Sequence, residues 1–408
     1  MEPTDRINMQ FQAGAVFTPG SPVNERDLFA GRIEQLNKII SAASQRGYHA
    51  ILYGERGVGK TSLSNILANS LRAGNWLVPR VNCDGADTFS SLWRKAFKDI
   101  VFTQESRSAG FSGNSTTTQQ SLVERLPEIL GPDDVRRTMQ SLGNVQTLMI
   151  FDEFDRLVDD KVAGLMADAI KAFSDFAVPA TILLIGVADS VNELISEHQS
   201  IERAIVQIPM PRMSSAEVRQ IISNGLARLQ MDAKAEAIFE LVTLSQGLPY
   251  ITHLLALQSV LSAIGDGRLE VQLSDVDAGI NAALDQWQQS IISAYHEATR
   301  SSQPDNIYKQ VLLACALAET DDMGYFTAAS VRAPLRVITG RDYDIPNFAQ
   351  HLNKFSESDR GSMLQRTGET RRIRYRFSSP LMRPYIVMRG FSDGMINRKQ
   401  MQALTTRA

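Results

Sequence analysis

A glycine-rich segment near the start of the chain carries the residues with the clearest chemical capacity. Glycines let a backbone curl until consecutive N–H groups face phosphate oxygens, and the positive end of a following helix adds to that field. A lysine after the last glycine reaches the β- and γ-phosphates of a nucleotide, and the next hydroxyl binds Mg²⁺. The segment fits the spacing G-x-x-x-x-G-K-[ST], so the predicted phosphate-binding residues are Gly54, Glu55, Arg56, Gly57, Val58, Gly59, Lys60, Thr61 and Ser62.

A pair of acidic residues, Asp152 and Glu153, follows an apolar run at 148–151. Four consecutive apolar residues are typical of a strand buried on both faces of a parallel sheet. Ligands of such sheets bind outside the carboxyl ends of the strands. We therefore expect Asp152 to hold Mg²⁺ through water and Glu153 to be the base for an attacking water. The alternative is an acidic pair that caps the next helix.

Further apolar runs predict the elements that position these motifs. Helical patterns separate the runs, and this alternation indicates an α/β fold with helices on both faces of a parallel sheet. The predicted strands lie at 50–53, 76–81, 147–151, 181–187 and 205–208. Between Ser214 and about residue 300 only helical patterns follow, among them one helix over 275–299. Residues 1–27 are expected to form an extended arm, and the polar stretch 103–120 a mobile insertion.

With these two motifs the chain resembles an AAA+ or STAND-type P-loop ATPase. Within that group it resembles the origin-recognition replication initiators and related bacterial ATPases. The resemblance covers roughly Val23 to Ile264 well and the C-terminal part more loosely. It implies an AAA+-like sheet with a helical lid, ATP and Mg²⁺ as cofactors, assembly into homo-oligomers, and ATP hydrolysis with Lys60 and Glu153 in catalytic roles.

Shorter matches to that family assign further residues. The segment Leu28–Arg32 resembles an element that lies beside the adenine in the family, which implicates Phe29. Asp189, after the fourth apolar run, resembles the sensor-1 residue that positions the attacking water, although it could simply cap a helix. Arg203 resembles the arginine finger that acts on a neighbouring subunit's nucleotide. Its alternatives are Arg212 as the finger, or a solvated arginine at a helix end.

The chain departs from the initiators at the start of their lid helix, where they place an arginine called sensor 2. Residues 245–250 read Ser-Gln-Gly-Leu-Pro-Tyr. This is closer to the G-x-P element of STAND switches, whose proline abuts the nucleotide, so Pro249 is predicted to contact it. An ordinary helix break and restart is the alternative explanation of Gly247 and Pro249.

The last segment follows the pattern of a winged helix from about Asn306. Helices are predicted over 307–317 and 327–339, and a third begins at Ile345, next to a proline. The apolar residues of this third helix recur on one face. Its other side holds side chains able to read base edges or phosphates in a major groove, namely Asn347, Gln350, His351 and Lys354.

A β-hairpin with a ladder of arginines is predicted after this helix. Its strands are 363–366 and 371–377. Alternate side chains of a strand point to opposite faces, so Arg372, Arg374 and Arg376 share one face that suits a phosphate backbone. The alternatives are an exposed basic strand, or one that pairs with acidic residues of the ATPase body.

Net charge is distributed unevenly along the chain. The 408 residues have a formal charge of −3. Residues 301–408 contain 16 Lys/Arg and 10 Asp/Glu, a balance of +6, which leaves −9 for residues 1–300. The total excludes a strongly basic histone-like protein and an acidic tail protein. The basic end favours an anionic partner such as duplex DNA, with chance surface composition as the alternative.

The sequence also predicts location and domain organisation. Two distant cysteines, no apolar leader and no apolar run near ~20 residues indicate a cytoplasmic protein without a membrane partner. We expect a P-loop core with its arm at 1–212, a helical lid and linker helix at 213–300, and a C-terminal winged-helix domain at 301–408.

Two functional hypotheses follow from these observations. The first is an ATP-driven switch that oligomerises and binds duplex DNA. The second is a nucleotide-regulated scaffold that controls an effector protein, as in conflict or transposition systems, with the winged helix as a protein-docking module.

Overall fold

A computed structural model describes residues 2–22, 31–107, 115–188, 191, 194–195, 201–303, 306–321, 323–368 and 372–405. The α-helices in these ranges are α1 (Pro3–Val16), α2 (Ile33–Ala43), α3 (Lys60–Ala73), α4 (Phe89–Lys98), α5 (Pro132–Ser141), α6 (Asp160–Asp175), α7 (Ser215–Arg228), α8 (Ala235–Ser245), α9 (Pro249–Gly265), α10 (Leu273–Asp285), α11 (Gln289–Thr299), α12 (Tyr308–Leu317), α13 (Ala328–Thr339), α14 (Ile345–Phe355), α15 (Met382–Ser392) and α16 (Arg398–Thr405). The strands are β1 (His49–Tyr53), β2 (Arg80–Asn82), β3 (Val101–Arg107), β4 (Ser115–Ser121), β5 (Thr147–Asp152), β6 (Ala180–Gly186), β7 (Ile205–Pro209), β8 (Asp232–Ala233), β9 (Glu270–Val271), β10 (Leu364–Thr367) and β11 (Arg374–Phe377).

Five strands form one parallel sheet in the order β2-β5-β6-β1-β7. This confirms the predicted α/β architecture. Every residue of β5 and β6 is buried, as expected for central strands covered on both faces. The strand β2 begins later than predicted because Pro79 has no N–H to donate to a strand ladder. Before it, Leu77 makes only an isolated parallel bridge to Thr147.

The core beside β5 is built around the fully buried indole of Trp93, on α4. Its ring centroid lies 5.5, 5.1 and 5.8 Å from those of Phe97, Phe151 and Phe173. Aromatic pairs at such separations stabilise a core beyond the area that they bury. Because Phe151 directly precedes Asp152, this packing fixes the end of β5 and the acidic pair that follows it.

Three sequence predictions about local structure differ from the fold. The N-terminal arm is not extended, because residues 3–16 form α1 and bury Ala13 and Val16. The helix predicted over 275–299 is divided into α10 and α11. The stretch expected to be a mobile insertion includes most of β3 and β4, which pair as an antiparallel ribbon.

Packing of the first helix explains why the arm is ordered there. Phe17, just after α1, is fully buried, and a Cβ built on Gly225 would lie 2.3 Å from its ring. The ring therefore lies directly on the backbone of α7. The next amide, of Thr18, donates a hydrogen bond of 3.2 Å to Nδ1 of His253 on α9. Gly225 and His253 lie more than 200 residues away in the sequence from Phe17 and Thr18, so no local sequence pattern predicts these contacts.

The chain divides into two compact units. One comprises Arg32–Glu55 and Lys60–Met210 and contains the parallel sheet. The other comprises the described parts of Met1–Gly31, Arg56–Gly59 and Pro211–Ala408. Throughout the described ranges, no helix has both the length and the apolar character required to cross a membrane.

The C-terminal elements begin with the three helices α12, α13 and α14, followed by the antiparallel hairpin β10–β11. The third helix begins at Ile345, as predicted. Phe326 exchanges two backbone hydrogen bonds of 2.8 Å with Tyr375, which adds a bridge to the outer side of the hairpin. Alternation is as expected in β11, where Tyr375 and Phe377 are buried.

Two further helices, α15 and α16, return to the helices that precede α12. Arg398, at the start of α16, donates a hydrogen bond of 2.6 Å to the buried carboxylate of Glu240 on α8. The ring of Tyr385, on α15, lies 5.5 Å from the rings of Trp287 and of Tyr295. The segment after β11 thus fastens the C-terminal elements to the helical part of the same unit.

Candidate functional site

The glycine-rich loop joins β1 to α3, and its glycines have left-handed backbone angles. The φ values are 150° at Gly54, 86° at Gly57 and 97° at Gly59. Residues that have a Cβ atom rarely adopt such positive φ angles, whereas glycine adopts them readily. A Cβ on Gly54 would lie 2.5 Å from the carbonyl oxygen of Met210, whereas a Cβ on Gly57 would meet no atom within 4 Å. The loop is thus open at Gly57, where an anion can approach backbone N–H groups.

Lys60 is the first residue of α3, and its side chain is buried. Its Nζ donates hydrogen bonds of 2.8 Å to the carbonyl oxygens of Gly54 and Glu55. A buried ammonium requires such partners, since its desolvation is costly. Thr61 and Ser62 are half-buried in the first turn of the same helix. The predicted phosphate-binding residues therefore lie around one helix N-terminus, which favours anions.

Asp152 is the last residue of β5, and its carboxylate is almost fully buried. Oδ1 accepts a hydrogen bond of 3.0 Å from the N–H of Glu153, and Oδ2 accepts one of 2.8 Å from the guanidinium of Arg80. Arg80 belongs to the neighbouring strand β2, whose pairing with β5 places Asn82 opposite Asp152. No sequence pattern singled out Arg80 as a site residue. Only the pairing of these two strands could have indicated it.

Glu153 follows in a left-handed conformation, with φ of 57°. Such an angle is uncommon for a residue with a side chain, and residues like this cluster at functional sites. Its carboxylate is about half exposed and accepts a hydrogen bond of 2.8 Å from Arg156. This bond raises the pKa of the Arg156 guanidinium. Glu153 is therefore available to solvent, whereas Asp152 is enclosed.

Two predicted site residues, Phe29 and Asp189, lie outside the described residues. The strand that leads to Asp189 is β6, which ends at Gly186. The next amide, of Val187, donates a hydrogen bond of 2.8 Å to Oδ1 of Asp155, two residues after Glu153. Asp155 thus links the carboxyl ends of β5 and β6, and the sequence analysis missed it.

Pro249 is the first residue of α9, as the sequence predicted for a restarted helix. The turn before it contains Gln246 and Gly247, both with positive φ. A Cβ on Gly59 would lie 3.7 Å from Cγ of Pro249. The proline therefore lies against the last glycine of the phosphate-binding loop.

The two rival arginines have different surroundings. Arg203 is exposed on a short 3₁₀ turn just before β7. Arg212 donates a hydrogen bond of 3.3 Å to the carbonyl oxygen of Gln246, in the turn before α9. Arg212 is therefore engaged within its own unit, and Arg203 is the arginine that faces solvent.

The third C-terminal helix presents three of its four predicted DNA-contacting residues. Asn347, Gln350 and Lys354 are exposed on α14. His351 was wrongly placed on the exposed side, since only 8% of its surface is accessible. Its ring lies 4.7 Å from that of Tyr308 in an edge contact, and burial lowers the pKa of the imidazole. The first helix of this region, α12, covers that position and makes it part of the core.

Two of the three arginines of the predicted ladder lie in β11, and these two have partners within the protein. Arg372 and Arg374 are exposed, and Arg376 is half-buried. Arg374 forms an ion pair of 3.2 Å with Asp321. The guanidinium carbons of Arg374 and Arg376 lie 4.9 and 4.7 Å from the ring centroid of Tyr325. Arg374 and Arg376 share one face of β11, and the ring of Tyr325 supports both of them. The strand begins at Arg374, later than the predicted 371, so Arg372 lies before it and is not part of the ladder.

The residues present suit a nucleotide and Mg²⁺ better than a metal held by protein alone. Within the described ranges, no group of three or more His, Cys, Asp or Glu side chains could hold a metal ion. Mg²⁺ is commonly bound by one or two protein groups together with substrate phosphates. Thr61, in the first turn of α3, and Asp152, at the end of β5, offer one hydroxyl and one carboxylate, which fits that pattern.

A parallel sheet with a glycine-rich loop after β1 and an acidic pair at the end of β5 defines a P-loop NTPase. The chain belongs to the family described as novel STAND NTPase 1, whose model matches residues 22–338. This confirms the resemblance to STAND-type P-loop ATPases.

Solved structures and one curated protein are also similar to the chain. The Walker-type ATPase of Pyrococcus abyssi is 16% identical, with 91% of this chain and 99% of that chain covered and a TM-score of 0.49. The ORC2 protein of Aeropyrum pernix is 14% identical, with 96% and 98% covered and a TM-score of 0.48. The ORC1 protein of the same organism, in complex with DNA, is 14% identical, with 93% and 97% covered and a TM-score of 0.45.

The curated protein is the Holliday junction branch migration complex subunit RuvB of Flavobacterium johnsoniae. It is 48% identical over 54 residues. The match covers 12% of this chain and 16% of the length of that protein, so it concerns a short segment only.

Proposed function

We propose that the protein binds and hydrolyses ATP with Mg²⁺ and acts as a nucleotide-controlled switch. The observation that carries this proposal is the ammonium of Lys60, buried at the start of α3 and hydrogen-bonded at 2.8 Å to the carbonyl oxygens of Gly54 and Glu55. Burying a lysine in a bend of its own loop is costly. Phosphate oxygens are the partners for which such an arrangement is suited.

Each residue of the site has a role in this proposal. The N–H groups of the loop and Lys60 bind the phosphates, and Thr61 and Asp152 hold Mg²⁺, Asp152 through water. Mg²⁺ supplies charge neutralisation at the phosphates when bound. Glu153, which is half-exposed, accepts a proton from the attacking water. Asp189 orients that water.

We also propose how the nucleotide state reaches the rest of the chain. Pro249 begins α9 and lies against Gly59, so a nucleotide on the loop would also meet the proline. Phe29 would lie beside the adenine. A change from ATP to ADP would then shift the position of α9 and of the helices packed on it. Arg203, exposed before β7, would act on the nucleotide of a neighbouring subunit in a homo-oligomer.

The C-terminal part supports DNA binding as the output of the switch. Three helices followed by a hairpin have the order of elements of a winged helix. Asn347, Gln350 and Lys354 would enter a major groove, and the arginines of β11 and of the residues before it would contact phosphates. We propose a division into a core at 1–212, a lid at 213–300 and a winged helix at 301–408. A cytoplasmic location suits the two free and buried cysteines.

A regulated scaffold is the second candidate, and one observation favours it. Arg374 already pairs with Asp321, and Tyr325 lies under Arg374 and Arg376. Arginines held by internal partners present a structured surface, which suits docking of an effector protein as well as a phosphate backbone.

Sizing the protein tests the switch, the oligomer and the partner together. The protein is run with ADP and with a slowly hydrolysed ATP analogue, each with and without duplex DNA. The proposal expects a larger assembly with the ATP analogue and co-elution of DNA in that state. The same size in both nucleotides would contradict the switch. A nucleotide-dependent size without DNA co-elution would favour the scaffold.

A further inference from the structure

The carboxylate of Asp152, which we assign to Mg²⁺, already has a cation beside it. Oδ2 lies 2.8 Å from a guanidinium nitrogen of Arg80, and Oδ1 accepts the N–H of Glu153. The Asp152 side chain is only 3% exposed, and that of Arg80 is 22% exposed. In such surroundings a carboxylate and a cation attract each other more strongly than in water. Both oxygens of the predicted metal-binding group are thus engaged within the protein.

Among the described residues, the side chain of Arg80 makes one hydrogen bond, the one to Asp152. Its Nε is buried and has no hydrogen-bond partner among the described residues. A buried donor that lacks a partner destabilises the folded state, because its hydrogen bond to water has been lost. The ion pair with Asp152 therefore favours the buried position of the Arg80 side chain, whereas the unpartnered Nε of Arg80 disfavours it. An arginine in this balance can leave the carboxylate when a stronger cation arrives.

We propose that Arg80 is a positioning residue that occupies Asp152 before the metal binds and competes with Mg²⁺ for it. This inference rests on the proposed nucleotide function. Arg80 neutralises the buried carboxylate in the nucleotide-free protein, so the site does not bind free Mg²⁺ well. Mg²⁺ that arrives with nucleotide phosphates has additional oxygen ligands, and this combination displaces the guanidinium. Arg80 thereby couples metal binding to nucleotide binding.

The test measures how nucleotide binding depends on Mg²⁺, without using hydrolysis. A fluorescent ADP analogue is titrated at a series of Mg²⁺ concentrations at pH 8, and the Mg²⁺ concentration at half-maximal effect is determined. Arg80→Met should lower this midpoint about tenfold, because loss of one hydrogen bond to a charged group is worth about 1.4 kcal/mol or more. Arg80→Lys, which keeps the charge, should stay near the wild-type value.

Two controls separate competition from a general effect. Arg137→Met removes an arginine that pairs with Asp133 at 2.8 Å elsewhere on the same unit, and it should leave the midpoint unchanged. In an Asp152→Asn background, Arg80→Met should have no effect on the midpoint, because the shared carboxylate is gone. Thermal unfolding of each variant checks that it is folded.

The outcomes distinguish this inference from the proposed function. Nucleotide binding with an unchanged or raised Mg²⁺ midpoint in folded Arg80→Met would overturn the competition and leave the nucleotide site intact. If Arg80→Met does not fold, a wild-type midpoint in Arg80→Gln would overturn it equally. Absence of nucleotide binding by the wild-type protein, with or without Mg²⁺, would contradict both.

Discussion

The Nζ atom of Lys60 lies 2.8 Å from the carbonyl oxygen of Gly54, the first residue of the same loop. The lysine side chain therefore folds back onto the first residue of the loop. In this position its ammonium group lies next to the place that a phosphate would occupy. Binding would exchange backbone carbonyls for phosphate oxygens as partners of one ammonium. Since Lys60 is buried in either case, little desolvation is added when the nucleotide enters.

Replacement of this lysine should abolish nucleotide binding. In Lys60→Ala the ammonium that meets the β- and γ-phosphates is absent, and we expect the ADP affinity to fall at least about 100-fold, since charge-assisted contacts of this kind are worth about 3 kcal/mol. Isothermal titration with ADP and Mg²⁺ measures the loss. Lys38→Ala, an exposed lysine on α2, is the matched control. Unchanged ADP affinity in Lys60→Ala would contradict the assignment of this loop as the phosphate-binding site.

Neutralising Glu153 should separate binding from hydrolysis. Glu153→Gln keeps the size of the side chain and removes the base, so we expect ATP to bind normally while turnover falls about 10²- to 10⁴-fold. Phosphate release under saturating ATP provides the rate, and titration provides the affinity. Glu34→Gln on α2 removes an exposed carboxylate of the same kind and serves as the control. Hydrolysis at the wild-type rate in Glu153→Gln would assign the base to another group.

Reversing the arginine ladder should remove any binding of duplex DNA. Phosphate contacts release counterions, so the logarithm of the affinity should fall steeply with the logarithm of salt, by about 0.9 per phosphate contact. Replacing Arg372, Arg374 and Arg376 by Glu should abolish the affinity and this salt dependence. Fluorescence anisotropy at several salt concentrations measures both, with Arg389→Glu on α15 as the control. If the wild-type protein does not bind DNA, the result would favour the scaffold function.

His253, which accepts a hydrogen bond from the N–H of Thr18, makes the free energy of unfolding depend on pH. Burial lowers the pKa of His253 to about 4 from the ordinary 6.5, so the folded state keeps the imidazole neutral. As pH falls from 6.5 towards 4 only the unfolded state gains the proton, and stability is lost over that window. At pH 5 the loss through this residue is about 2 kcal/mol, since one pKa unit is worth about 1.4 kcal/mol.

The measurement compares wild type with His253→Gln, which still offers an acceptor to the amide of Thr18. Urea unfolding at pH 7.5 and 5.0 yields the two free energies of unfolding. We expect the wild type to lose about 2 kcal/mol more than the variant between these values. Equal losses in both proteins would show that His253 is protonated without opening the structure.

The glycine-rich loop, the acidic pair and the strands of the sheet could all be predicted from the sequence alone. The spacing from Gly54 to Thr61 is short, and every residue in it has a local reason to be there: positive φ at the glycines, a lysine at a helix start, a hydroxyl after it. The apolar run before Asp152 likewise identifies a buried strand by its composition alone. Periodicity was enough to place α14 at Ile345, because its apolar face and its proline agree.

Contacts between residues that are distant in the sequence could not be predicted, because they depend on how the whole chain packs. Arg80 reaches Asp152 because β2 pairs with β5, and a strand order is a property of the whole sheet. His351 is buried because Tyr308 of α12 covers it, although helical periodicity alone leaves it beside the polar face. The first helix and the contact of Arg398 with Glu240 depend on partners more than 150 residues away. Such contacts join residues that are far apart in the sequence. They depend on the packing free energy of the whole folded chain, so no local sequence pattern predicts them.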